Sequence, residues 1–307
     1  MRTILITGAA GFIPSSLADK LIEDEQTTII AVDNFLTGKI DNLPKTIKSN
    51  YRFIKADINN YQDISAVVLS YKFDYIFHYA AVVGVQRTLD NPIMVLDDIK
   101  GIQNILLLAK NTGVKRVFFS SSSEVYGEPV EIPQNEYTTP LNSKLPYAIV
   151  KNIGEAFLRS YQQEHGLDYT IFRFFNTYGP KQSTDFVLAK FVKAALEGRD
   201  ITLFGDGLQT RTFCYIDDNI EVTLKCLNEN FCVNDVLNMG SNIEISIKKL
   251  AEIVIDITKS KSKITYLPAL VEGDMRRRCP DNGNMIGILG RDLTSLEVGI
   301  KMVIEKY

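Results

Sequence analysis

The sequence lacks the features that mark metal-binding and disulfide-rich proteins. It has no tryptophan and only four cysteines and two histidines among its 307 residues, and the cysteines show no C-x-x-C spacing. His78 and His165 are too few and too far apart for a usual zinc cluster, so we predict no metal site. The cysteines are expected to be buried, reduced thiols.

The chain also lacks long apolar runs and blocks of charge. No apolar run reaches the length of about 18 residues that a membrane-spanning helix needs. The formal net charge is −3 and no basic block occurs, so neither nucleic acid nor an anionic membrane surface is an expected partner. The N-terminus enters a strand pattern directly, with no signal-peptide pattern, and we therefore expect a cytoplasmic protein.

The first half of the chain alternates strand-like and helix-like segments. Apolar runs predict strands at residues 2–7, 28–33, 51–56, 74–79, 115–120 and 168–174, and helical periodicity predicts helices at 11–23, 61–71, 92–112 and 146–165. This order predicts an α/β fold with a Rossmann-type doubly wound parallel sheet. Residues 1–177 should form this dinucleotide-binding domain. Residues 178–307 should form mainly a smaller C-terminal α/β substrate-binding lobe, with segments around 208–258 returning to the first domain.

The start of the chain has the order strand, glycine turn, helix, strand and acid, which is typical of a dinucleotide-binding unit. The N-terminus of the helix can direct its free N–H groups at a pyrophosphate. Pro14 stands where a third glycine is usual; proline is tolerated in the first helical turn but donates no hydrogen bond. The cofactor contacts predicted here are Gly8, Gly11, Phe12, Ile13, Asp33 and Asn34.

Acidic and small residues follow the predicted strands at the same edge of the sheet. Asp33 favours NAD, because a carboxylate accepts hydrogen bonds from a ribose and repels the 2′-phosphate of NADP; a turn cap is the alternative. Asp57 and Ile58 follow the third strand, where an acid can bind an adenine amino group, although a surface turn also explains Asp57. Ala80 and Ala81 follow the fourth strand and are small enough to let a cofactor approach the backbone.

The strongest chemical pair is Tyr147-x-x-x-Lys151. The same spacing occurs at Tyr51 and Lys55, but those residues lie on a predicted strand, where four residues span about 13 Å. Tyr147 and Lys151 begin a predicted helix, in which residues four apart are neighbours at about 6 Å. Only the helical pair can therefore act together.

The second half of the chain has a different pattern. Residues 201–216 predict a hairpin that turns at Gly205-Asp206-Gly207. Short strands are predicted at 236–239 and 264–267, with a helix at 247–258 between them. Thr294, followed three residues later by Glu297, predicts a capping box for the last helix.

Six motifs occur in one order along the chain. They are Thr7-Gly8-x-x-Gly11-Phe12-Ile13, Asp33-Asn34, the serine run before Val125-Tyr126-Gly127, Tyr147-x3-Lys151, Arg173-x-x-Asn176-x-x-Gly179-Pro180, and Gly205-Asp206-Gly207-x-Gln209-x-Arg211-x-Phe213-x-Tyr215. Together they resemble the extended short-chain dehydrogenase/reductase family, specifically its nucleotide-sugar epimerases, dehydratases and decarboxylases. The resemblance implies NAD as the cofactor, a nucleotide-diphosphate sugar as the substrate and a homodimer whose interface uses residues 92–112 and 146–165.

The resemblance also assigns roles to single residues. Tyr147 would be the catalytic base, Lys151 would hold the nicotinamide ribose and favour the phenolate of Tyr147, and Ser122 would hydrogen-bond the reacting hydroxyl. Glu124 is a further catalytic candidate. The implied substrate contacts are Val83, Ser122, Ser123, Asn176, Arg211, Arg276 and Arg277.

Several reactions fit these residues after oxidation of the sugar at C4. The leading prediction is a nucleotide-sugar epimerase or 4-dehydrogenase-type oxidoreductase for surface-glycan biosynthesis. Ser122-Ser123-Glu124 resembles UDP-glucuronate decarboxylases, so a decarboxylase-like or dehydratase-like enzyme that uses Glu124 is an alternative. A catalytically silent NAD-binding protein is another, with Pro14 as its best support.

Overall fold

A computed structural model describes residues 1–45, 48–268 and 277–306. Its strands are β1 (Arg2–Thr7), β2 (Thr27–Asp33), β3 (Tyr51–Lys55), β4 (Tyr75–His78), β5 (Arg116–Ser122), β6 (Asp168–Phe174), β7 (Thr177–Tyr178), β8 (Ile201–Phe204), β9 (Thr210–Thr212), β10 (Cys214–Tyr215), β11 (Asp235–Met239), β12 (Glu244–Ser246) and β13 (Ile264–Leu267). Its helices are α1 (Phe12–Leu21), α2 (Tyr61–Ser70), α3 (Val85–Asp90), α4 (Pro92–Leu96), α5 (Asp98–Thr112), α6 (Pro146–His165), α7 (Val187–Leu196), α8 (Ile216–Asn228), α9 (Ile247–Thr258), α10 (Gly283–Leu289) and α11 (Leu296–Ile304).

The main sheet has seven strands in the order β11-β6-β5-β4-β1-β2-β3. Strands β1 to β5 pair in parallel in this order. The order reverses between β1 and β4, and ligands of such sheets bind at this switch point, beyond the carboxyl ends of the strands. The predicted Rossmann-type doubly wound sheet is therefore confirmed.

Helices cover both faces of this sheet because the chain winds in two directions from β1. Right-handed crossovers place α1, between β1 and β2, opposite α2, between β3 and β4. Helices α2, α5 and α6 share one apolar core with the sheet, and Phe119 of β5 contributes to it together with Val150 and Leu158 of α6. Leu17 and Ala18 of α1 are buried outside that core.

The chain divides into two compact units. The first comprises Met1–Val125, Leu141–Arg173 and Cys226–Leu237, and the second comprises Tyr126–Pro140, Phe174–Lys225 and Asn238–Tyr307. In the second unit β8 pairs in parallel with β13, and β9 pairs in antiparallel orientation with β12. The predicted hairpin at 201–216 is therefore wrong, since its two strands pair with later segments of the chain rather than with each other. The predicted domain boundary at residue 177 stays a prediction.

Two predicted helical features also differ in detail. The helix predicted at 92–112 is interrupted at Asp97, which separates α4 from α5 although its dihedral angles are still helical. The last helix is capped by Ser295, whose side chain accepts from Val298 N, while Thr294 bonds to Asp218. Among the described helices, none is both long and apolar enough to cross a membrane.

Candidate active site

The first unit brings Ser122, Tyr147 and Lys151 together at the end of β5. Tyr147 and Lys151 lie in the first turns of α6, which begins at Pro146, and Ser122 is the last residue of β5. Ser122 lies close enough to the phenol of Tyr147 to lower its pKa. Lys151 Nζ donates to Ser120 Oγ at 3.3 Å and lies 5.7 Å from the centre of the Tyr147 ring. The helical spacing thus places a phenol, a hydroxyl and an ammonium group in one cluster.

Burial controls the ionisation of this cluster. It raises the pKa of Tyr147, the negative charges of Glu124 and Asp98 add to the rise, and the nearby hydroxyl of Ser122 opposes it. Burial also lowers the pKa of Lys151 to about 8, against the opposing charge of Asp98. The lowering expected from Lys151 and the nicotinamide ring together is not produced by the protein alone, which raises the pKa of Tyr147 because desolvation disfavours the phenolate.

Glu124 lies beside Tyr147, in the 3₁₀ turn Ser123–Tyr126 that follows β5. Its backbone N–H donates to Ser122 Oγ at 3.2 Å, and its charge raises the pKa of Tyr147. A carboxylate is thus close to the phenol, where it can serve as a second acid or base. The preceding Ser123, a predicted substrate contact, is 3% exposed, whereas Ser122 is only partly buried.

The glycine turn packs tightly against the neighbouring strand end. Gly8 has a φ of 69°, and a Cβ there would lie 2.7 Å from the backbone of Ala80. Gly11 precedes α1, which has no side-chain cap and so leaves its first N–H groups free for an anion. Pro14 is the buried third residue of α1 and does not interrupt the helix. A residue at this position in the first turn has no carbonyl partner for its N–H within the helix, so proline loses no helical hydrogen bond there.

Asp33 ends β2 and holds the turn in place. Its Oδ2 accepts from Ala10 N at 2.9 Å and its Oδ1 accepts from Phe35 N at 2.6 Å. Each carboxylate oxygen has a second lone pair, so Asp33 can still accept a hydrogen bond from a ribose. The neighbouring Asn34 donates from Nδ2 to Asp57 Oδ2 at 3.2 Å.

A cavity of about 350 Å³ lies next to these residues in the first unit. Its lining includes the predicted cofactor residues Asn34 and Asp57. Ile58, the residue after Asp57, is buried, with 7% of its surface exposed. Leu36, Met94 and Lys100 also line it; no motif identified them. A mixed apolar and polar cavity that is lined by Asn34, the residue after Asp33, fits the adenosine part of a dinucleotide. Val82 lines the cavity as well, and the predicted contact Ala81 precedes it in the chain.

Thr7 and His78 form a buried pair that sequence reasoning did not assign to the site. Thr7 Oγ1 accepts from the N–H groups of Tyr79 and Ala80, both at 3.2 Å, so its own proton is directed at His78 Nδ1, 2.9 Å away. This assigns the proton of the imidazole to Nε2, which is buried without a partner. Burial, followed by the charge of Lys151, lowers the pKa of His78 to about 3. The only sequence signal for this pair is that Thr7 and His78 are each a polar residue at the end of an apolar strand.

The remaining predicted contacts lie elsewhere in the chain. In the second unit Asn176 has a φ of 33°, and its buried Nδ2 has no partner. Arg211 lies in β9, and Arg277 forms an ion pair with Glu244. In the first unit the carbonyl of Val83 accepts from Arg87 Nη1 at 2.6 Å. Arg276 lies outside the described residues.

Comparisons with known proteins place this geometry in a family. A model described as the NAD dependent epimerase/dehydratase family matches residues 4–240. UDP-glucuronic acid decarboxylase 6 of Arabidopsis thaliana is 32% identical over 313 residues, covering 99% of this chain and 88% of that protein.

Two solved structures show the same fold. The UDP-glucose 4-epimerase of Thermotoga maritima, crystallised with UDP-glucose, has a TM-score of 0.92 and 32% identity, covering 99% of this chain and 98% of that one. The UDP-glucose 4-epimerase of Thermus thermophilus, in complex with NAD, has a TM-score of 0.90 and 25% identity, with coverages of 99% and 98%.

Proposed function

The chain belongs to the NAD-dependent epimerase/dehydratase family, and from this premise we propose that it oxidises a nucleotide-linked sugar at C4. It is an NAD-dependent enzyme of the group that contains nucleotide-sugar epimerases, dehydratases and decarboxylases. The observation that carries the proposal is the cluster of Tyr147, Ser122 and Lys151, in which Lys151 Nζ is held by Ser120 and lies 5.7 Å from the centre of the Tyr147 ring. The alternative of a catalytically silent protein is not supported, because the family relationship is accompanied by this complete set of groups.

The residues of the first unit fit the cofactor. The free N–H groups at the start of α1 would bind its pyrophosphate, Asp33 would bind the adenosine ribose and Lys151 the nicotinamide ribose. When bound, NAD supplies a hydride acceptor and a positively charged ring. Asp33 would also favour NAD over NADP, because its carboxylate would repel a 2′-phosphate.

Tyr147 acts as the base of the proposed reaction. The protein alone keeps its pKa above the ordinary value, so Tyr147 is a poor base until positive charge is placed next to it. Lys151, with a pKa of about 8, is substantially protonated at neutral pH, but it does not by itself offset the burial of the phenol, and the positively charged ring of NAD would supply the further charge. Ser122 would donate to the phenolate or to the sugar oxygen while Tyr147 removes the proton of the C4 hydroxyl. A 4-keto sugar would result because bound NAD would supply the acceptor for the hydride from C4.

An epimerase or a 4-dehydrogenase-type oxidoreductase for surface-glycan biosynthesis is the leading form of this function. Epimerisation needs no second acid or base, since the same Tyr147 returns its proton when the 4-keto sugar is reduced from the other face. The similarity to UDP-glucose 4-epimerases over nearly the whole chain supports this form. A 4-dehydrogenase would instead release the 4-keto sugar.

Decarboxylation of a nucleotide-linked uronic acid is the second candidate, and Glu124 favours it. A 4-keto group makes the loss of the C6 carboxylate as carbon dioxide possible, and the carbanion at C5 must then be protonated. Glu124 lies beside Tyr147 and could supply or relay that proton. The similarity to UDP-glucuronic acid decarboxylase 6 supports this candidate equally. A dehydratase-like reaction would use Glu124 as the acid for the leaving hydroxyl at C6.

A panel of nucleotide sugars distinguishes these outcomes. The purified protein would be incubated with UDP-, dTDP-, GDP- and CDP-linked hexoses and uronic acids, and the products identified by chromatography and mass spectrometry. A product of unchanged mass indicates an epimerase, loss of carbon dioxide a decarboxylase, and loss of water a dehydratase. Stoichiometric release of a 4-keto sugar with NADH indicates a 4-dehydrogenase. Absence of any product, with NAD bound, would contradict the proposed function.

The second unit and the oligomeric state supply further proposals. Asn176 and Arg211 would contact the substrate diphosphate, which gives the unpaired amide of Asn176 an acceptor. A homodimer would cover apolar side chains that are exposed on α4, α5 and α6, namely Ile93, Leu96, Leu107 and Ile149. Light scattering after size-exclusion chromatography tests the dimer, and a monomeric mass would contradict it.

A further inference from the structure

Glu155 is a buried carboxylate of α6 that the proposed chemistry does not use. Its side chain is 0% exposed, and it lies one helical turn beyond Lys151. It accepts hydrogen bonds from Ser121 Oγ at 2.6 Å, from Arg173 Nε at 2.9 Å and Nη2 at 2.7 Å, and from Arg159 Nη2 at 2.9 Å. Burial by itself raises the pKa of Glu155, but hydrogen bonds and charges from these groups outweigh it and hold the pKa below its ordinary value.

Stability alone does not explain this buried ion pair. The cost of removing two charges from water offsets most of their mutual attraction. Proteins in which apolar residues of the same volume replace such a pair are often equally stable. The pair does fix the relative orientation of its two side chains, because a bidentate contact between guanidinium and carboxylate constrains distance and angle. Through Ser121 and Arg173, Glu155 ties α6 to both β5 and β6.

Gly154, the residue before Glu155, lets α6 approach β5 very closely. A Cβ at Gly154 would lie 2.4 Å from Cζ of Phe119, so a larger residue would push the ring or the helix away. Phe119 and Ser121 are alternate residues of β5 and therefore face the same side of the sheet. Two adjacent residues of the helix thus contact two alternate residues of the strand. We call Phe119, Ser121, Gly154 and Glu155 the α6 seat.

The α6 seat is adjacent to the catalytic groups in both elements. Ser120, between the two strand residues of the seat, accepts the hydrogen bond of Lys151 at 3.3 Å. Ser122, the next residue after the seat in β5, lies close to Tyr147. Since an α-helix moves largely as a rigid body, a displacement of α6 at Glu155 would move Lys151 and Tyr147 relative to the serines of β5.

We propose that Glu155 is a positioning residue that acts with Ser121 and Gly154 to fix the distance and register of α6 against β5. This inference rests on the proposed function, because the contact it protects is the one between Tyr147 and Ser122. It extends that function to residues that make none of the hydrogen bonds of the catalytic cluster.

The sharpest kinetic test is Ser121→Ala. This change removes one hydrogen bond of the seat but leaves Glu155 paired with Arg173 and Arg159, whereas Glu155→Gln would remove the charge that pairs with the buried Arg173 and could prevent folding. We expect kcat to fall by about tenfold to hundredfold, as for a misplacement of about 1 Å. KM should stay unchanged, and Ser121→Thr, which restores the hydroxyl, should recover most of kcat.

Thr170→Val is the matched control for this test. Thr170 is 0% exposed and donates from Oγ1 to Cys232 O at 2.8 Å, so its change also removes one buried hydrogen bond, but away from the seat. It should leave kcat at the wild-type value. Equal kcat values in Ser121→Ala and Thr170→Val would overturn the proposal, since loss of stability alone would then explain any change.

Crystal structures of Ser121→Ala and Gly154→Ala provide a readout that needs no turnover. We expect α6 to be displaced from β5 in both variants, with the distance between the hydroxyls of Tyr147 and Ser122 increased and the bond of Lys151 to Ser120 lengthened. An unmoved helix with both distances unchanged in both variants would overturn the proposal. If the wild-type protein converts no nucleotide sugar, the proposed function fails, and this comparison still decides whether the seat positions α6.

Discussion

The buried imidazole of His78 should make folding stability fall at mildly acidic pH. Burial, followed by the charge of Lys151, lowers its pKa from 6.5 to about 3. The hydroxyl of Thr7 donates to Nδ1 at 2.9 Å, and Nε2 is buried without a partner. A second proton on the ring is therefore unfavourable, because Nδ1 is already used as an acceptor and Nε2 has no acceptor to share the positive charge. The folded protein therefore keeps His78 neutral over a range in which the unfolded chain binds a proton.

The size of this effect follows from the two pKa values. Because the unfolded state binds more protons, the free energy of unfolding rises with pH here. The stability from neutral His78 is complete above pH 6.5 and is lost as the pH falls through the range towards 3. Each pH unit costs about 1.4 kcal/mol, so the loss between pH 6.5 and about pH 5 is about 2 kcal/mol. Most carboxylates are still ionised above about pH 5. Burial raises the pKa of Asp98, and this carboxyl acts in the opposite direction to His78, because its folded state binds more protons than its unfolded state.

Urea unfolding of His78→Asn at a series of pH values tests the reasoning. The asparagine Oδ1 can replace Nδ1 as the acceptor for Thr7, but the side chain does not titrate. The variant should therefore show a nearly constant free energy of unfolding between about pH 5 and 6.5. His165→Asn, which changes the exposed second histidine, should keep the wild-type slope. The reasoning is refuted if His78→Asn loses stability as steeply as the wild-type protein.

Two further changes address the cofactor end of the first unit. Pro14→Gly should change the Kd for NAD by less than about threefold, because the N–H it restores is not required there, and should lower the free energy of unfolding by about 1 kcal/mol through the entropy of the unfolded chain. Calorimetric titration and urea unfolding check both values, and a tenfold change in Kd would show that Pro14 tunes affinity. Asp33→Ala leaves the N–H groups of Ala10 and Phe35 without acceptors, so it should cost about 1–3 kcal/mol of stability and weaken NAD at least about tenfold. Unchanged NAD binding in a folded Asp33→Ala protein would mean that this carboxylate only caps the turn.

Local patterns were sufficient for the parts of the fold that depend on neighbours in sequence. The glycine turn, α1 and Asp33 were predictable because turn, helix and strand signals follow one another within one βαβ unit. The pairing of Tyr147 with Lys151 was predictable because helical spacing alone separates them from Tyr51 and Lys55. The order of the strands was not predicted; once it is known, the handedness of the crossovers accounts for the face on which each helix lies.

Features that depend on distant partners were not predictable in the same way. The glycine turn after β8 was recognised, but β8 and β9 pair with β13 and β12, which no local pattern indicates. The contact of Gly154 with Phe119 and the ion pair of Glu155 with Arg173 join segments of α6 to separate strands. The rise in the pKa of Tyr147 likewise comes from burial and from Glu124 and is visible only in three dimensions.

The most direct measurement of the role of Tyr147 is turnover of the accepted nucleotide sugar by Tyr147→Phe, with the bound NAD quantified after denaturation. Tyr51→Phe is the matched control, since the Tyr51 hydroxyl is buried without a partner on β3, in the other Tyr-x3-Lys sequence. We predict that both variants retain NAD, that kcat falls by about 10²–10⁴-fold in Tyr147→Phe, and that Tyr51→Phe turns over as the wild-type protein does. Equal turnover in the two variants would contradict the proposal that Tyr147 removes the proton of the C4 hydroxyl.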